Sequence, residues 1–138
     1  RDAKAFTAAI RQVIFTFLRA LVVGDDEAAA AVAAGPFGGE AANPPAEPGV
    51  EVWTPQRLAE AMDAYHAGHQ RLCLDPNARN LRHTYVDRAE DGRTWRVQQM
   101  LVDPEEKNDW VAEFRVELAR SRAAGEPVLW LTRLGSLT

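Results

Sequence analysis

The apolar residues change their spacing partway along this chain, and that change limits the folds open to it. From Lys4 to Val23, Phe6, Ile10, Val13, Phe17 and Leu21 recur at intervals of three and four, which keeps one face of a helix apolar. From Trp110 to Ala119 the interval is two. Trp110, Ala112, Phe114, Val116 and Leu118 point one way, and Glu113, Arg115 and Glu117 point the other. A chain with helical spacing first and pleated spacing second belongs to the α+β class.

Local signals place the other elements. Gly24 stops the first helix, and Asp25 or Asp26 caps a short alanine-rich one that runs to Gly35. Thr54-Pro55 starts a third, with Leu58, Ala61, Met62 and Tyr65 on one face, ending between Gly68 and Leu74. Between them, residues 35–52 are rich in Pro and Gly and read as a flexible loop. Four strands follow: Leu81–Asp87, Thr94–Val102, Trp110–Ala119 and Pro127–Arg133. Their connections are short enough for an antiparallel meander. The expected domain is single, spanning 1–138, with a helical part over 1–80 and a sheet part over 81–138. Three N-terminal helices on a curved four-stranded antiparallel sheet is the element order of the nuclear-transport-factor-2 and polyketide-cyclase-like cones. That comparison is by analogy of element order.

Composition narrows the function. The 138 residues carry a net charge of −4. Residues 1–80 hold 7 basic and 10 acidic side chains and residues 81–138 hold 9 and 10, so neither half has the basic footprint of a nucleic-acid clamp. Cys73 is the only cysteine, which excludes an intramolecular disulfide and a cysteine zinc cluster and fits a reducing cytoplasm. The apolar stretch around Ala20–Val23 is far short of a membrane span. The chain starts at Arg1 rather than Met, which reads as a piece of a longer protein.

Catalytic motifs are missing. The only lysines are Lys4 and Lys107, and neither follows a glycine, so there is no phosphate loop. Asp25-Asp26-Glu27 lies before a helix, where capping is the simpler role. His66 and His69 share a helix face without an acidic third ligand and read as surface histidines. His83 and Asp87 share a strand face but stand about 13 Å apart, too far for a dyad. No catalytic and no metal-binding residues are assigned. Gln99 falls on the inward phase with Trp95, so it either satisfies backbone groups or, with Tyr85, Trp95 and Trp110, lines a ligand pocket. On the opposite sheet face, glutamates alternate with cations, the pattern of a solvated, cross-strand-paired surface. Arg82, Arg96, Arg115 and Arg133 are the candidates for nucleic-acid contact.

Several stretches carry a family resemblance. These are Trp53, Ala59–Tyr65, Asp75–Arg79, Trp95–Pro104, Asn108-Asp109-Trp110, Glu117–Ala119 and Gly125-Glu126. Together they resemble the C-terminal domain of unknown function that follows the motor in a group of actinobacterial-type DEAD/DEAH-box helicases. The strand pair around Asp103-Pro104 and Asp109-Trp110 is the most specific part, and the Pro/Gly-rich segment is a departure. The resemblance implies a non-catalytic accessory domain of an ATP-dependent nucleic-acid helicase, docked on the motor in cis or helping place substrate. ATP and Mg would belong to the motor, and no cofactor to this chain. Nucleic-acid binding by the isolated domain would be weak or absent, with no membrane partner. The alternatives are a small-ligand-binding or isomerase-type cone and a protein-interaction module.

Overall fold

The computed structural model describes residues 2–38 and 51–138. In chain order these form α1 (Ala3–Val23), α2 (Asp26–Ala34), a 3-10 turn (Gly35–Phe37), α3 (Pro55–Gly68), a second 3-10 turn (Leu81–His83), β1 (Thr84–Arg88), β2 (Thr94–Leu101), β3 (Trp110–Glu117), α4 (Leu118–Ala124) and β4 (Leu129–Ser136). The class is α+β. The sheet is an antiparallel meander in the order β1-β2-β3-β4. Of the flexible loop expected over 35–52, residues 39–50 lie outside the described residues.

Capping fixes the helix boundaries. Asp2 accepts the amides of Lys4 and Ala5 to open α1, and Gly24, at φ 77°, closes it in the left-handed region. Asp25 rather than Asp26 caps α2, by accepting from the Ala28 amide at 3.1 Å. Thr54 accepts from the Arg57 amide at 3.1 Å, with Pro55 at the first helical position of α3.

One core joins the layers. Ile10, Ile14, Phe17, Leu18 and Leu21 of α1 are buried with Val97, Leu101, Ala112, Phe114, Val116, Leu129, Leu131 and Leu134 of the sheet. Phe17 meets Phe114 edge-on at 5.5 Å between ring centroids. Ala29, Ala30 and Ala33 of α2 are buried in the same core, as are Leu58, Met62 and Tyr65 of α3. Small side chains let α2 sit close to its neighbours. By length and composition α1 is apolar enough to cross a membrane, with a mean hydropathy of 1.6. Counting uninterrupted runs misses this, because alanines and single polar residues average out along the helix.

The elements differ from the sequence reading in three places. Leu81–His83 is a 3-10 turn rather than the start of β1, because the Asn80 side chain accepts from the Arg82 amide at 2.9 Å. The third strand stops at Glu117 instead of Ala119. Glu117 caps α4 by accepting from the Arg120 amide, and Gly125, at φ 73°, ends it. The helices therefore do not all precede the sheet: α4 is inserted between β3 and β4. β4 runs from Leu129 to Ser136 rather than Pro127 to Arg133, and its alternation breaks: Glu113 pairs with Arg133 but Phe114 pairs with Leu131, which leaves Thr132 as an extra residue. That bulge puts Leu134 in the same core as Leu129 and Leu131. Trp130 takes the opposite face, where Phe37 meets it edge-on at 5.0 Å.

Gly35 makes the turn after α2 possible. It adopts φ 55° and ψ −129°, and a Cβ built there would lie 2.2 Å from the Leu129 carbonyl oxygen. A side chain would strain the backbone and force α2 away from β4. Gly35→Ala is expected to cost about 2–3 kcal/mol or more. Gly24→Ala has a similar φ with nothing within 4 Å, and should cost only about 1 kcal/mol. Urea denaturation of both variants checks this ordering; equal losses would show that the Gly35 contact does not constrain the fold.

Candidate functional site

The sheet's two faces separate the side chains singled out in the sequence. On the inner face Gln99 is fully buried opposite Thr84. Its Oε1 accepts from the Thr84 hydroxyl, and its Nε2 donates to the Met100 carbonyl at 3.3 Å. Thr84 Oγ1 accepts from Nε of Arg11 at 3.1 Å. The amide is thus satisfied within the fold. Trp95 lies four residues before Gln99 on the same strand face, about 13 Å away. Trp110 stands at the other end of the strand pair, opposite Leu101. Tyr85 pairs with Gln98 and is 52% exposed on the outer face. The four pocket candidates are not brought together.

Arg96, Arg115 and Arg133 share the outer face. Arg96 and Arg115 are directly opposed, and Arg133 lies opposite Glu113. Arg96 is neutralised by Asp87 at 2.8 Å and Glu113 at 3.6 Å, while Arg133 donates to the Ser136 carbonyl. Arg82 is elsewhere, on the second 3-10 turn, donating to Asn77 Oδ1 at 3.1 Å. Its Nε also donates to Nε2 of His83, at 3.4 Å. Burial, followed by the charge of Arg82, holds the His83 pKa below its usual value. Asp87 is taken up by Arg96, so His83 and Asp87 form no dyad.

Sequence reasoning missed the most closely connected polar cluster, where the end of α3 meets the β2–β3 turn. His69 is not a surface histidine; its side chain is 5% exposed. Its ring stacks on Tyr65 at 4.3 Å. Nδ1 lies 2.7 Å from the Tyr65 carbonyl and Nε2 lies 2.7 Å from Asp109 Oδ1. With Asp109 ionised, both partners only accept, an arrangement that is satisfied when each ring nitrogen carries a proton and that favours the charged form of His69. Burial opposes that charge. The bonds to the Tyr65 carbonyl and Asp109, with the negative charges of Asp109 and Asp103, outweigh it and raise the pKa.

Neighbouring bonds lock the same junction. Asp103 is 2% exposed and accepts from the amides of Glu105 and Asn108 at 3.1 Å each. Burial pushes its pKa up, but these N–H donors and the charge on His69 hold it below the usual carboxylate range. Lys107 donates to the Gly68 carbonyl at 2.8 Å, at the negative end of α3. Trp110 meets Tyr65 edge-on at 5.3 Å. No local signal marks this junction, because His69 and Asp109 are forty residues apart.

An apolar groove of about 570 Å³ lies between the first turns of α1 and α4, with Phe6, Ala9, Trp95, Leu118 and Pro127 in its walls. Phe6 meets Trp95 edge-on at 5.3 Å, and the guanidinium of Arg88 covers the Trp95 ring at 4.7 Å. Among the described residues, no group of three or more His, Cys, Asp or Glu side chains is placed to hold a metal ion.

A model of the family described as "Domain of unknown function (DUF3516)" matches residues 1–134. No curated protein and no solved structure matches the chain.

The imidazolium has a testable pH signature. A raised folded pKa adds stability that is complete below the unfolded value of about 6.5 and is lost as pH rises through the folded pKa. His69→Gln should therefore cost about 1–3 kcal/mol near pH 5.5 and clearly less near pH 9. Urea denaturation of both proteins across this range reads the difference. A gap that stays constant with pH would contradict a charged His69.

Proposed function

The chain belongs to the DUF3516 family, and on that premise we propose that it is a non-catalytic accessory domain of an ATP-dependent DEAD/DEAH-box helicase. One observation carries the reading. The residues that give the sequence its most specific resemblance, Asp103, Asp109 and Trp110, are taken up in architecture. Asp103 holds the turn amides, Asp109 holds His69, and Trp110 packs on Tyr65. Gln99 is likewise bound to Thr84. The groups best suited to chemistry in this fold secure its junctions, as expected of a domain that serves by shape.

The groove beside Trp95 supports docking on the motor. Asp2, Ala3 and Ala5 form part of its rim, so a motor joined ahead of this domain would meet the groove directly. ATP and Mg would belong to that motor, and no step runs through this chain's residues. The helicase partner is in cis, the compartment is the cytoplasm, and nucleic acid is reached mainly through the parent. A second reading, a small-ligand cone of the nuclear-transport-factor-2-like kind, draws support from the same groove, whose volume suits a small molecule.

The parent gene separates these readings. The native frame upstream of Arg1 is expected to encode a phosphate loop ending in Gly-Lys-Ser/Thr and an acidic strand motif. A complete frame beginning near Arg1 would remove the accessory reading.

A further inference from the structure

Among the described residues, three arginines have a carboxylate within ion-pair distance, and the rest, Arg71, Arg82, Arg88, Arg93, Arg115, Arg122 and Arg133 included, do not. Arg57, Arg96 and Arg120 each sit beside a carboxylate, 3.2 Å from Glu51, 2.8 Å from Asp87 and 3.3 Å from Glu117. Arg11, Arg19 and Arg79 do not. Among the described residues, none of the three has a carboxylate within ion-pair distance. These three line a single groove of about 550 Å³, and no acidic residue lines it with them. In a chain of net charge −4, three cations in one concavity without a counter-charge need an explanation.

The fold holds them there. Arg11, Phe15 and Arg19 are four residues apart and share one face of α1. Arg79 comes from the turn before β1 and is tied in by its carbonyl, which accepts from an Nη of Arg11. Arg11 is itself fixed by Thr84, and its guanidinium lies over the Phe15 ring at 5.2 Å. Arg79 uses Nε on the Leu74 carbonyl, and Arg19 uses one Nη on the Thr16 hydroxyl. Most of the forked donors of both residues remain for a ligand. Burial and the nearby charge of Arg79 lower the pKa of Arg11, the effect expected where like charges are held together.

We propose that this groove between α1 and the residue 74–80 turn is a phosphate-binding site, with Arg11 as its fixed floor and Arg19 and Arg79 as its closing arms. Planar guanidinium forks match phosphate oxygens in pairs, and an anion relieves the repulsion among the three cations. The site stands independently of any motor. Its ligand chemistry is a phosphate group, supplied either free or by the backbone of a nucleic-acid strand. Three contacts of this kind are too few for tight strand binding at physiological salt, in keeping with the acidic chain.

The test follows the arginine Nε–H resonances of the labelled protein by NMR. One titration uses inorganic phosphate, a second uses sodium chloride at matched ionic strength, and a third uses a short oligothymidylate. Phosphate should shift the resonances of Arg11, Arg19 and Arg79 saturably, and chloride should not. Arg19→Gln, whose one side-chain bond is to Thr16, should keep the fold and weaken phosphate binding several-fold. Arg19→Gln with Arg79→Gln should weaken it at least about tenfold. Arg133→Gln on the sheet should leave it unchanged. Tighter binding of the oligothymidylate through the same resonances assigns the phosphate to a strand, and equal or weaker binding assigns it to a free phosphate compound. Equal shifts with phosphate and chloride, or full affinity in the folded double variant, would overturn the proposal.

Discussion

The structure depends on the seam between α1 and the inner face of the sheet. Six apolar side chains of α1, Phe15 included, are buried in one core with alternate residues of β2, β3 and β4. Burying each is worth roughly 1.5–3 kcal/mol, so the seam offsets a large part of the entropy lost on ordering both layers. Everything else is positioned by it. Phe17 on Phe114 sets the height of the helix over the sheet. That height brings Arg11 to Thr84, and Thr84 to Gln99. It also leaves the first turns of α1 overhanging Trp95, which creates the apolar groove.

Polar groups then secure the places the seam does not reach. At the far end of the sheet, His69, Asp109 and Asp103 join the end of α3 to the β2–β3 turn through charge-assisted bonds. Such bonds are expensive to break one partner at a time. A turn as charged as Glu105-Glu106-Lys107 is understandable here, because Lys107 reaches back to the Gly68 carbonyl and to Glu105. The same electrostatic logic makes the groove at Arg11, Arg19 and Arg79 stand out, since three cations share it and no acidic residue lines it.

Much of the fold was legible in local pattern. Spacing identified α1 and β3, and Asp25, Thr54, Pro55 and Gly24 marked helix ends where the structure has them. Local reading failed where two signals competed. Leu118 continues the alternation of β3, but the Glu117 cap and the alanines behind it favour α4. Trp130 alternates with the inward Leu129 and Leu131, so it pairs opposite Arg115 on the outer face, where Phe37, distant in sequence, covers it. Of the site, the sequence located Gln99 on the inner face but could not supply its partner. His69 with Asp109, and Arg11 with Arg79, become neighbours only after the chain folds back over 40 and 68 residues.

A double-mutant cycle across Phe17 and Phe114 tests the seam most directly. Phe17→Leu, Phe114→Leu and the double variant would be unfolded in urea and their stabilities compared. If the two rings meet edge-on as described, their coupling should be about 0.5–1.5 kcal/mol. Costs that add to within about 0.3 kcal/mol would mean that α1 does not rest on this face of the sheet.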